Sequence, residues 1–129
     1  MINVGQLLKD DSFYAGHHPV YKNRFLLCKD RDEPEEMTWD EAMSIEGQFE
    51  LPTIGELGVL FAYRHALGFG IDSDWYWSSS DDWTNILGKR AWAIYFTTMG
   101  SQSQLFKKSE CRVRLVRTVT QEELEALIC

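Results

Sequence analysis

Four aspartates, Asp72, Asp74, Asp81 and Asp82, bracket the aromatic stretch Trp75–Ser80. Carboxylates in that number could together ligate Ca²⁺, which takes about six to eight oxygens. Their spacing matches no calcium loop, and solvated loop acids are the plainer reading. His17, His18 and His65 are the side chains suited to proton transfer or to a transition metal. His17 and His18 are adjacent and point apart, and no Cys or carboxylate stands at ligand spacing to them, so no metal is expected. Ser78-Ser79-Ser80 lacks the Gly-flanked strained turn of a hydrolase nucleophile; hydroxyls at a strand end more simply satisfy nearby backbone groups. Gly68-Phe69-Gly70 follows a helix instead of opening one, which is the wrong order for a phosphate loop. The residues therefore predict no enzyme and no cofactor.

Binding residues are easier to nominate. The connection from Asp81 to Arg90 holds Asp81, Asp82, Trp83, Asn85, Lys89 and Arg90, and Trp and Arg dominate many interfaces. The plainer alternative for Trp83 is that it folds back onto the domain. A second candidate is the acidic run Asp30, Asp32, Glu33, Glu35 and Glu36, broken only by Arg31 and Pro34, which reads most simply as a solvated loop. Arg112 and Arg114 with Lys107 and Lys108 could form a basic stripe, although pairing with the protein's own acids is the simpler expectation.

Charge sorts these possibilities. The net charge is -7. Residues 1–82 carry 16 acidic and 6 basic side chains, and residues 83–129 carry 4 and 7. Such acidity disfavours direct nucleic-acid binding, which needs excess Lys and Arg against phosphate, and permits binding to a basic protein surface. Another protein is the expected partner. The 129 residues suffice for one domain that folds without disulfide or metal. Neither a secretory signal nor a membrane span is expected. Three cysteines, Cys28, Cys111 and Cys129, fit free thiols in a reducing cytoplasm, with Cys28 and Cys111 buried and Cys129 exposed.

The elements that must position these residues can be read in order. Met1–Asp11 reads as a short helix or arm, Ser12–Pro19 as turn-rich, and Tyr21–Cys28 as a strand whose Phe25-Leu26-Leu27-Cys28 end is covered on both faces. Thr38 with Glu41, Thr53 with Glu56 and Thr120 with Glu123 are three capping boxes, each opening a helix. The first should bury Trp39 and Met43 and end at Gly47. The second should run to about Leu67, its Gly55 and Gly58 packed closely on a neighbour. The third closes the chain. Strands are predicted at Trp75–Ser79, Ala91–Thr97, Ser103–Lys107 and Cys111–Arg117, the middle two paired as a hairpin across Met99-Gly100-Ser101. In the last, Cys111, Val113 and Leu115 face one way and Arg112 and Arg114 the other. The class is α+β with an antiparallel sheet, whose exposed edges could pair two copies.

Five phrases in this order, Thr38-Trp39-Asp40-Glu41-Ala42, Leu51-Pro52-Thr53-Ile54-Gly55-Glu56-Leu57, Tyr76-Trp77-Ser78-Ser79-Ser80, Ala91-Trp92-Ala93-Ile94-Tyr95-Phe96 and Val113-Arg114-Leu115-Val116-Arg117, resemble a bacterial and phage domain family typified by the C-terminal domain of the collagen-like adhesin Lcl. The match spans about residues 37–117. The family looks related to the C-type-lectin-like fold of formylglycine-generating enzymes and of retroelement variable proteins. The resemblance implies two helices on a twisted antiparallel sheet with long loops that present a binding surface. Phe49-Glu50 replace the family's Trp-Arg before Leu-Pro-Thr. The active-site cysteine pair of formylglycine-generating enzymes is missing, as are the Glu-Pro-Asn and Trp-Asn-Asp phrases of calcium-dependent lectins. The implied function is a non-enzymatic binding module for a protein or other ligand. The alternative is a phage-encoded inhibitor of a host defence nuclease complex, acting through the acidic surface.

Overall fold

The computed structural model describes residues 2–69, 74–81, 88–97 and 100–128. In chain order they form β1 (Ser12–His17), β2 (Arg24–Lys29), α1 (Trp39–Met43), α2 (Ile54–Ala62), β3 (Asp74–Asp81), β4 (Arg90–Phe96), β5 (Ser101–Phe106), β6 (Val116–Thr120) and α3 (Gln121–Leu127). The α+β class holds. The described strands make two three-stranded antiparallel sheets, ordered β1-β2-β6 and β3-β4-β5, where one sheet was expected.

The split follows from where apolar side chains go. In β2, Leu26 and Cys28 enter a central cluster, whereas Phe25 and Leu27 enter another with Val119 of β6 and Leu124 of α3. Both faces of β2 are thus covered, as its unbroken apolar run predicts. The central cluster lies between the sheets and includes Leu57 and Leu60 of α2, Tyr76 of β3 and Ile94 and Phe96 of β4. Trp77, Ala91 and Ala93 point the other way, into a third cluster with Ala42 of α1, Leu51, Val113 and Leu115. Alternation along β3 and β4 divides these strands between two interiors.

All three capping boxes form. Thr38, Thr53 and Thr120 each accept from the amide three residues on, and Glu41, Glu56 and Glu123 each reach back to the cap. The threonine backbone N–H, and then its hydroxyl, donate to the carboxylate and hold the Glu41 and Glu123 carboxyls below their ordinary value.

Several boundaries differ from the sequence reading. Residues 2–11 are an arm, not a helix: Gly5, Gln6 and Leu8 bond along the outer edge of β1. Ser12–His17 is strand, with a bulge after Tyr14 where Gly16 takes a positive φ of 106°. Helix α1 stops at Met43: the Ser44 hydroxyl competes for the Asp40 carbonyl, and the next amide, of Ile45, bonds back only three residues, to Ala42; Met43 is 46% exposed. Helix α2 ends at Ala62 and continues only as turns, with the Arg64 guanidinium donating to the Phe61 carbonyl. A methyl group on Gly58 would meet nothing, and one on Gly55 only Pro19, so close packing does not explain either glycine. Gly100, at φ 66°, is different: a Cβ there would run into the Phe61 ring. The segment 113–115 is not strand. The amides of Glu33 and Lys29 bond the Val113 and Leu115 carbonyls, so the end of β2 and the acidic loop together take the place of a neighbouring strand.

Cys28 and Cys111 are both buried free thiols, as expected. Burial pushes Cys28 up from an ordinary 9.0 to about 11, against the pull of Arg114, and pushes Cys111 up to about 12. A raised folded-state value means stability is intact below pH ~9 and is lost as pH rises through the folded values. Thermal melts should show this alkaline loss between pH ~9 and ~12, and at pH ~8 mass spectrometry should find both thiols unalkylated in the native protein.

Candidate functional site

The C-terminal end of β5, the N-terminal end of β4 and the start of α1 converge on one surface. The hairpin register sets Arg90 opposite Phe106. Beyond it the Lys107 amide donates to the Lys89 carbonyl (2.7 Å), and the Trp39 amide donates to the Lys107 carbonyl (3.0 Å). Between these segments lies a cavity of about 620 Å³ lined by Asp40, Gly88, Lys89, Phe106, Lys107, Lys108 and Ser109.

Cations and aromatic rings alternate around it. The Arg90 guanidinium carbon lies 4.8 Å from the Phe106 ring centroid, and Lys107 Nζ lies 4.2 Å from that of Trp39. Lys107 Nζ also donates to Asp81 (3.1 Å), and the Trp39 indole N–H donates to the Ser78 carbonyl (2.9 Å). Among the described residues no ion pair holds Lys89, Arg90 or Lys108, and the Phe106 ring is 56% exposed. Lys107 is paired with Asp81, while Lys89, Arg90 and Lys108 can meet an anion. Cations seated on rings bury their stems and present their charge outward.

Of the residues nominated in the 81–90 connection, Asp81, Lys89 and Arg90 come to this surface; Asp82, Trp83 and Asn85 lie outside the described residues. Phe106, Trp39 and Asp40 were not nominated, although the hairpin pairing carried the signal for Phe106. Of the basic stripe, Lys107 and Lys108 belong here. Arg112 and Arg114 do not. Arg112 Nε donates to Asp74 (2.5 Å), which raises the guanidinium's value. Arg114 is 2% exposed and pairs with Asp32 (2.8 Å).

That pairing also redirects the acidic run. Asp32 turns inward, accepting from Arg114 and from the Tyr76 hydroxyl (2.5 Å). Burial, and then this carboxylate, hold the phenol well above its ordinary value. Glu35 and Glu36 are exposed, and Asp30 and Glu33 are half-buried.

The proposed calcium ligands are not brought together. Asp74 and Asp81 stand at opposite ends of β3, paired with Phe96 and Ala91 of β4 and so about 17 Å apart at strand rise, each beside its own cation; Asp72 and Asp82 lie outside the described residues. Among the described residues no three His, Cys, Asp or Glu cluster to hold a metal. The Ser78 hydroxyl donates to the Trp92 carbonyl, and the Ser80 hydroxyl accepts the first amide of α2.

The His17 ring lies tilted against Phe25 and is exposed, as is His65. His18 makes a contact the sequence did not reveal. It and Glu56 are each 8% exposed and meet at 2.5 Å through Nε2 and Oε2. Its Nδ1 accepts from the amides of Val20 and Tyr21 (3.1 Å each), so Nε2 carries the hydrogen and donates to Glu56. With both nitrogens occupied, this histidine fastens the β1–β2 turn to the cap of α2 and has no lone pair to offer a substrate.

No protein-family model matches the chain, and no curated protein matches it. Among the described residues no helix is long and apolar enough to cross a membrane, which leaves β-barrels unaddressed.

Proposed function

We propose that the chain is a non-enzymatic binding module on a C-type-lectin-like scaffold, and that it takes an acidic segment of another protein at the Lys89–Phe106–Lys108 cavity. The observation that carries this is the placement of Lys89, Arg90 and Lys108 around an exposed phenylalanine, in a chain whose net charge is -7. A local basic and aromatic surface on an acidic protein attracts an anionic partner while the remainder repels it, which favours one docking orientation. The two adjacent capped helices and the β3-β4-β5 sheet, in the family's order, support the scaffold. The inhibitor reading rests on the acidic loop, and the engagement of Asp32 with Arg114 leaves that loop a smaller surface.

Lys89→Glu with Lys108→Glu should weaken binding of a polyglutamate peptide by about tenfold or more, equivalent to about 1.4 kcal/mol. The wild-type affinity should fall steeply with added salt. Titration by fluorescence anisotropy reads both. Equal affinity for wild type and variant would remove the cavity from the interface.

A further inference from the structure

Three of the four outer sheet edges are occupied by other segments. The arm's Gly5, Gln6 and Leu8 bond β1. Glu50 bonds β6 in both directions at Val116, and β6 then runs into α3. Arg112 and Pro52 bond β3, through the amides of Trp77, Ser79 and Arg112 itself. Strand β5 is the exception: no described residue bonds its outer backbone except at Phe106, whose carbonyl accepts the Ser109 amide.

The register shows which groups are open. The Lys107 amide faces Lys89, so along β5 residues 101, 103 and 105 bond to β4, while Gln102 and Gln104 direct N–H and C=O outward. The edge Ser101-Gln102-Ser103-Gln104-Leu105 has no charge and no proline. Those are the usual devices that keep an edge from pairing, and neither is present here.

We infer that β5 is the self-association surface of this protein, and that its occupant is β5 of a second copy, antiparallel about a two-fold axis at Ser103. This goes beyond the proposed cavity function and does not depend on it. The symmetry matches the open groups. With Ser103 on the axis, Gln102 of each copy faces Gln104 of the other, and their free groups exchange four backbone hydrogen bonds. Ser103 faces itself and Ser101 faces Leu105, so no like charges oppose. A register centred on Gln104 would instead draw on Phe106, whose carbonyl is already taken. The product is a continuous six-stranded sheet with an isologous interface.

Sedimentation equilibrium from micromolar to sub-millimolar protein should show a reversible dimer. Gln102→Lys with Gln104→Lys places lysine opposite lysine at both pairs and should weaken association by about tenfold or more. Gln102→Lys with Gln104→Glu places opposite charges together and should associate at least as well as wild type. Because the pair of lysines could disturb the sheet itself, circular dichroism accompanies both variants, and the Lys/Glu variant decides if the Lys/Lys one unfolds. A wild type that stays monomeric throughout overturns the inference. So does a folded Lys/Lys variant that dimerises like wild type, or a Lys/Glu variant that does not dimerise.

Discussion

Arg114→Met should destabilise the protein by about 3–5 kcal/mol, a large share of the stability of a domain this size. The guanidinium donates to Asp32 Oδ1 (2.8 Å) and to the carbonyls of Lys29 (3.2 Å) and Leu67 (2.9 Å), and its carbon lies 4.0 Å from the Phe69 ring centroid. Truncation unties three segments at once and leaves the Asp32 carboxylate without its main cation. Asp32 keeps some contact with solvent, 18% of its side chain, which tempers the effect. The charge argument makes a second, sharper expectation. Adding Asp32→Asn to Arg114→Met should recover part of the loss, because a neutral amide can still accept from the Tyr76 hydroxyl and costs less to bury than a carboxylate stripped of its arginine. Urea unfolding of the two variants against wild type measures both. A double variant no better than Arg114→Met would show that packing and the carbonyl bonds, not charge, carry the effect.

Trp77→Ala should cost about 3–5 kcal/mol by the same measurement, through the cavity it leaves. The side chain is fully buried among Ala42, Leu51, Ala91, Ala93, Cys111, Val113 and Leu115. Three of these neighbours, Ala42, Ala91 and Ala93, have no side chain beyond Cβ to reach into the space. The indole N–H donates to the Met37 carbonyl (2.9 Å), but that carbonyl also accepts the Cys111 amide. Trp77→Phe should therefore be clearly milder than Trp77→Ala. Similar losses in the two variants would locate the contribution in the hydrogen bond instead of the volume.

What the sequence disclosed is local. A capping box spans three residues, so Thr38, Thr53 and Thr120 announced their helices. The alternation in Ala91–Phe96 and the following turn announced the β4–β5 hairpin, and with it half of the candidate cavity. What it withheld depends on distant pairing. His18 and Glu56 are 38 positions apart, and Arg114 and Asp32 are 82 apart. A buried arginine has the same local signature as a surface one. Alternation set Arg114 opposite Val113 and Leu115, yet Arg114 is buried as well, which periodicity alone cannot tell. The single expected sheet became two because β6 returns to pair with β2, near the other end of the chain. Nothing near Val116–Thr120 specifies that partner.

The division of β3 and β4 between two interiors bears on how the molecule can come apart. Tyr76 and Ile94 look into the central cluster while Trp77 and Ala93, their chain neighbours, look into the third. The two strands are in effect a shared wall. If the packing on one side loosens, the wall loses half its support and the other side loosens with it. Hydrogen exchange should therefore find partial opening in the arm, the outer turns and α3, with the β3–β4 amides exchanging last, together with global unfolding.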